Sequence, residues 1–63
     1  MSANNYVAVQ EMDDGTWDVW VKDADTGLGY PEHKGLTKAE AIEKAAEIDW
    51  TEYGISVVSK AKK

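Results

Sequence analysis

The alternation of apolar and polar side chains predicts two strands near the start of the chain. Segment 5–12 is rich in strand-forming residues, and segment 16–22 alternates with a period of two. Asp13, Asp14 and Gly15 separate the two segments. A three-residue loop with Gly15 in the left-handed conformation pairs Met12 with Thr16. The pattern therefore predicts a β-hairpin.

The register of this hairpin sorts the side chains onto two faces. A two-residue loop at Asp14 and Gly15 is the alternative, but it sets Glu11 across from Asp18, and like charges placed there destabilise a sheet. The three-residue loop separates apolar from polar residues better. One face then carries Val7, Val9, Trp17, Val19 and Val21. The other face carries Tyr6, Ala8, Gln10, Asp18, Trp20 and Lys22.

A turn at 23–27 leads into a weaker third strand predicted over 28–34. Pro31 has no N–H to donate to a neighbouring strand, so this strand is expected at an edge of the sheet or with an irregular course. Gly35 is expected to end it.

The segment that follows predicts an amphipathic helix over 38–53. Thr37 and Glu40 form a capping box, and Gly54 suits the position just past the helix. Asp49 falls inside the apolar stripe and can mark the point where the helix leaves the sheet. The expected apolar stripe comprises Ala41, Ile42, Ala45, Ala46, Ile48 and Tyr53, and the opposite face carries Glu40, Glu43, Lys44 and Glu47.

Segment 55–59 predicts a last strand, which completes the order β-β-β-α-β. We expect an α+β fold, with an antiparallel sheet of three to four strands and one helix packed on one face. The chain of 63 residues is expected to form a single domain, 1–63. Its ordered core should cover about 5–59, between a polar N-terminus and a basic C-terminal tail with Lys60, Lys62 and Lys63.

Composition narrows the classes of function. The formal net charge is −5, there is no arginine, and segment 1–59 holds four lysines against twelve acidic residues, a balance of −8. Nucleic-acid binding depends on cationic side chains that neutralise phosphates, so direct DNA or RNA binding is disfavoured. An acidic surface suits a protein partner with a basic surface, although it also serves solubility alone. No apolar run approaches the length needed to span a bilayer, which predicts a cytoplasmic protein with no membrane contact.

The sequence offers little for catalysis or metal binding. The chain has no cysteine, which removes disulfides, thiolate ligands and cysteine nucleophiles together. His33 is the only histidine, and nothing in the sequence places it beside a serine. Asp23 and Asp25 resemble the opening of a calcium loop, but the later ligand positions do not match, so they are interpreted as turn residues. We expect no enzyme, no metal and no cofactor.

Binding through the sheet face that the helix leaves open is the remaining interpretation. Trp and Tyr are enriched at binding hot spots, and a homodimer through this face is one form of such binding. The alternative is that Trp20 is sheltered by segment 23–36 or by Tyr30. The acidic helix face, with Glu40, Glu43 and Glu47, is a weaker candidate that also fits a solvated surface. The residues predicted to contact a partner on the open face are Tyr6, Asp18, Trp20, Tyr30 and Val58.

The run from Tyr6 to Val58 resembles three groups of small proteins with the same β-β-β-α-β order, and it contains two short motifs, at 14–17 (Asp-Gly-Thr-Trp) and 37–41 (Thr-Lys-Ala-Glu-Ala). The first is a family of uncharacterised bacterial proteins with Asp-Gly-x-Trp and Thr-x-x-Glu-Ala, and the second is the N-terminal domain of HicB-type antitoxins. The chain also looks like the short inhibitor of bacterial RNA polymerase made by T7-like phages. These resemblances imply a non-catalytic binding domain. It would be a phage or mobile-element regulator that inhibits a host enzyme such as RNA polymerase, an antitoxin-like partner of a small basic RNase, or a housekeeping or assembly module.

Overall fold

A computed structural model describes residues 4–59, so the predicted basic tail and the first three residues lie outside the described part. The fold is α+β, and its order β-β-β-α-β is the predicted one. The elements are β1 (Asn5–Glu11), β2 (Trp17–Asp23), β3 (Gly29–Leu36), α1 (Lys38–Ala46) and β4 (Ile55–Val58).

The first hairpin has the predicted three-residue loop. Met12 donates its N–H to the Thr16 carbonyl at 2.7 Å, and Gly15 donates to the Met12 carbonyl at 3.0 Å. Gly15 has φ +88°, a conformation that favours glycine. In the paired strands Val7 lies opposite Val21, and the whole register matches the prediction. The two faces of the hairpin are therefore those expected from the alternation.

The loop of this hairpin contains a carboxylate with a shifted pKa. Hydrogen bonds from the Thr16 hydroxyl, at 2.7 Å, and from its backbone N–H, at 3.0 Å, lower the pKa of Asp14. Because the folded pKa is depressed, the contribution to stability is present above the unfolded value, and it is lost as the pH falls through the folded value. We expect Thr16→Val to raise the pKa of Asp14 toward its ordinary value in an NMR titration. An unchanged pKa would show that the hydroxyl is not the main cause.

The sheet is mixed, with strand order β3-β2-β1-β4. The sheet is mostly antiparallel, as expected, but one pair differs from the prediction, because β4 runs parallel to β1. The reason is the direction of the chain. Two antiparallel pairings make β3 parallel to β1, and the helix then returns the chain to the end of the sheet where β3 began. A strand that starts there runs in the direction of β3, and therefore of β1.

One face of the sheet packs under α1, which contacts β1, β2 and β3. The helix lies close to the sheet because its buried side chains, Ala41 and Ala45, are small. Lys38 places its ammonium 5.5 Å from the centre of the Trp17 ring and so covers part of that indole. The buried core comprises Val7, Val9, Trp17, Val19, Ala41 and Ala45, with Leu36 and Ile48 packed against it.

The third strand occupies an edge of the sheet, as the proline predicted. Its pairing with β2 shifts register twice, between Trp17 and Val19 and between Val19 and Trp20. The expectation that Gly35 ends the strand is wrong. Gly35 has φ +71° within the irregular part of β3, and the strand continues to Leu36. A glycine in a strand here permits a bulge instead of a break.

The helix ends earlier than predicted, at Ala46 instead of residue 53. Its start is correct: Glu40 donates its N–H to the Thr37 hydroxyl at 3.1 Å, and its carboxylate accepts from the Thr37 N–H at 3.0 Å. Of the expected apolar stripe, Ala41 and Ala45 are buried and Ile48 is partly buried, whereas Ile42, Ala46 and Tyr53 are exposed. Segment 48–51 combines two β-branched residues, an aspartate and a tryptophan, which have weak helix propensity.

Candidate binding face

The open face is the side of the sheet away from α1. The helix packs on the side that carries Trp17 and Val19, so Trp20 lies on the open face, as the hairpin register predicted. Ala8, at the centre of β1, pairs with Trp20 on one side and with Ser56 on the other. The face is thus built across three strands. Its side chains are Tyr6, Ala8, Gln10, Asp18, Trp20, Lys22, Ser56 and Val58.

A groove of about 350 Å³ lies on this face. Ala8 and Ser56, which are small and adjacent across the strand pair, leave room between larger neighbours. The groove is an open concavity of a sheet, and its walls are mixed apolar and polar groups. Its lining residues are Tyr6, Ala8, Gln10, Lys22, Ala24, Tyr53, Ser56 and Val58.

Lys22 lies across the open face and joins the groove to the indole of Trp20. Its ammonium donates to the Gln10 side-chain oxygen at 2.8 Å and lies 5.6 Å from the centre of the Trp20 ring. A cation over an aromatic ring is attracted to the ring face. Trp20 is therefore partly covered by Lys22. Pro31, which belongs to the segment 23–36 named in the predicted alternative, lies opposite Trp20 in the neighbouring strand, whereas Tyr30 lies opposite Val21.

Trp20 also has a buried polar atom without a partner. Its Nε1 donates no hydrogen bond to any of the described residues, although the atom is removed from solvent. An unsatisfied buried donor costs about 1–3 kcal/mol. The ring is thus held on the open face by packing and by Lys22, and not by a hydrogen bond.

Two of the predicted contact residues are placed differently. Asp18 is only 3% exposed, and its carboxylate accepts from the Gly35 N–H at 3.2 Å. The expectation that this acid is presented to a partner is wrong, because the carboxylate satisfies the backbone of the irregular β3. Tyr30 lies opposite Val21, so it is on the helix side of the sheet and not at the rim of the open face.

The groove brings together Tyr6 and Val58 of the predicted set and adds Tyr53. Sequence reasoning assigned Tyr53 to the apolar stripe of the helix, but the residue precedes β4. Its backbone N–H donates to the Asn5 carbonyl at 3.0 Å, and its hydroxyl donates to the Asn4 side chain at 3.3 Å. The signal that could have located it is Asp49, which interrupts the apolar stripe before Tyr53.

The acidic helix face is where the sequence placed it, and Glu40, Glu43 and Glu47 are exposed. Glu40 is engaged in the capping box, and Glu47 caps the end of the helix. The capping role of Glu40 is structural, and none of the three residues lines the groove on the open face.

The remaining candidate catalytic and metal-binding side chains do not form a common site in segment 4–59. His33 lies in β3 and Ser56 in β4, at opposite edges of the sheet. Asp23 accepts from the N–H of Asp25 at 2.8 Å, as expected of a turn residue. Between residues 4 and 59, no group of three or more His, Asp or Glu side chains is arranged to hold a metal ion. Within the same segment, no helix has the length and apolar character that crossing a membrane requires.

Comparisons with protein-family models, with curated proteins and with solved structures find no match to this chain.

Proposed function

We propose that this protein is a non-catalytic binding domain whose open face docks a protein partner with a basic surface. The observation that carries the proposal is a sheet face that segment 4–59 leaves without a covering layer, on which a groove lies beside a tryptophan. Aromatic side chains flanked by small and apolar residues are typical of binding hot spots. Tyr6, Tyr53 and Val58 supply the apolar contacts, and Gln10 and Lys22 supply polar ones.

The charge of the domain supports a basic partner. Segment 4–59 contains all twelve acidic residues and only four of the seven lysines. The negative electrostatic potential of this excess of acidic residues accelerates association with a positively charged protein surface and disfavours acidic partners. Among the residues between 4 and 59, Lys22 is the one cation that lines the groove, and it already interacts with Gln10 and Trp20.

The identity of the partner is a narrower proposal. The resemblance to phage inhibitors favours a host enzyme such as RNA polymerase, which the domain would occlude. A small basic RNase is the second candidate, because an acidic domain of this size is complementary to it in charge. Affinity capture from a bacterial lysate followed by mass spectrometry separates the two, since polymerase subunits are far larger than a small toxin.

The test compares capture by the wild-type chain with capture by variants of the open face. We expect Trp20→Ala to weaken binding by about 2 kcal/mol or more, roughly 30-fold, because a central aromatic contact is lost. Val58→Lys should also weaken binding, since it adds a positive charge toward a basic partner.

Ile42→Lys is the matched control. Ile42 is 42% exposed on the helix and Val58 is 50% exposed on the open face, so the two substitutions are similar in solvent exposure. Binding through the open face predicts that Ile42→Lys captures the same protein as the wild type. Equal capture by all four chains would refute this site while leaving the fold unaffected.

A further inference from the structure

The two edges of the sheet differ in how well they are protected from pairing with another strand. The β3 edge contains Pro31, two register shifts and charged residues, Glu32 and Lys34, which are the usual means of blocking an edge. The β4 edge has the sequence Ile-Ser-Val-Val, without a charge, a proline or a bulge. All four residues of β4 are exposed. Within segment 4–59, one edge is thus blocked and the other has no strand paired to it.

The backbone of β4 has a defined set of outward groups. Val7 donates its N–H to the Gly54 carbonyl at 2.8 Å. This bond determines which residues of β4 direct their backbone N–H and C=O groups toward β1. The even-numbered residues of β4 then pair with β1, and the N–H and C=O groups of Ile55 and Val57 point away from the sheet. These groups match the spacing that a further strand requires.

The side chains of the same two residues are also uncovered. Ile55 and Val57 lie opposite Val7 and Val9, on the helix side of the sheet. Because α1 packs on β1, β2 and β3, it leaves them 46% and 50% exposed. A strand added to β4 would cover these side chains and would also form hydrogen bonds with the outward N–H and C=O groups of Ile55 and Val57.

We propose that a second copy of this chain occupies this edge, through an antiparallel β4–β4 pair about a two-fold axis. In the register centred on Ser56, Ile55 of one copy lies opposite Val57 of the other. Each such pair exchanges both N–H···O bonds, and the two Ser56 residues form a closer, non-hydrogen-bonded pair on the axis. The sheet becomes continuous across the two copies, and the inference does not depend on the proposed function of the open face.

A second copy fits this edge better than an unrelated strand for two reasons. The outward groups at Ile55 and Val57 are symmetric about Ser56, so the edge is complementary to itself, as a two-fold interface requires. The second reason is charge. The net charge of −5 opposes the association of two copies through their charged surfaces, whereas β4 itself carries no charge.

The first test is the mass of the full chain in sedimentation equilibrium. We expect the mass to rise from 7.0 kDa toward twice that value as the concentration approaches about 1 mM, where even a dimer with a millimolar Kd is detected. Val57→Pro should stay monomeric, because it removes an outward N–H without breaking the pairing with β1. A wild-type chain that stays monomeric would overturn the proposal, as would equal dimerisation of a folded Val57→Pro variant.

The second test does not depend on the folding of the proline variant. The chain has no cysteine, so Ser56→Cys introduces a single thiol at the axis. Under mild oxidation we expect its covalent dimer to form at least about tenfold faster than that of Thr26→Cys, because pairing raises the effective concentration of the two thiols. Thr26 is an exposed control in the turn at 23–27. Equal rates would overturn the self-pairing, and the edge would then suit a strand of a different protein.

Discussion

Trp17→Ala is expected to unfold most molecules at room temperature, whereas Trp20→Ala leaves the chain folded. Trp17 belongs to the buried core under α1, and truncation of a buried tryptophan costs about 3–5 kcal/mol. A core of this size rarely supplies more than about 3–5 kcal/mol of net stability. The loss is therefore comparable with the whole free energy of unfolding. Urea denaturation followed by far-UV circular dichroism measures it.

Trp20 is the matched control because it is the same residue type, three positions away on the same strand. It lies on the other face, is only partly buried, and has a buried Nε1 that donates to none of the described residues. Its truncation loses apolar contact but also removes an unsatisfied donor, whose burial costs about 1–3 kcal/mol. If the two variants lost equal stability, the assignment of one covered and one open face would be incorrect.

Ala45→Asp is expected to have the second large effect. Ala45 is fully buried between α1 and the sheet, and the described residues around it in the core are apolar. An unpaired carboxylate there costs several kcal/mol or forces the helix away from the sheet. We expect the cooperative unfolding transition to disappear at neutral pH.

Ala46→Asp controls for helix propensity and for the charge near the helix C-terminus, since both alanines lie in the last turn. Ala46 is exposed, so the carboxylate stays in water. A cooperative transition that persists in Ala46→Asp and is lost in Ala45→Asp isolates the cost of burial. If both variants kept the transition with similar midpoints, the helix would not pack through Ala45.

The open-face site was predicted only in part. The hairpin register placed Trp20 and Tyr6 correctly, because the alternation of side chains along a strand follows from backbone geometry. The prediction that Asp18 contacts a partner was wrong, since its carboxylate is buried and accepts a hydrogen bond from Gly35, seventeen residues away. Tyr53 was missed because its position depends on where the helix ends. Propensity fixes helix ends only weakly.

The sequence by itself determined the local geometry of this protein. The turn at Gly15, the capping box at Thr37 and the division of β1 and β2 into two faces all follow from interactions within a few residues, which the order of side chains specifies.

Tertiary structure decided the rest. The parallel pairing of β4 with β1, the early end of α1, the burial of Asp18 and the groove depend on contacts between segments far apart in the chain. The energy of such contacts is set by which surfaces meet, and no local pattern encodes it.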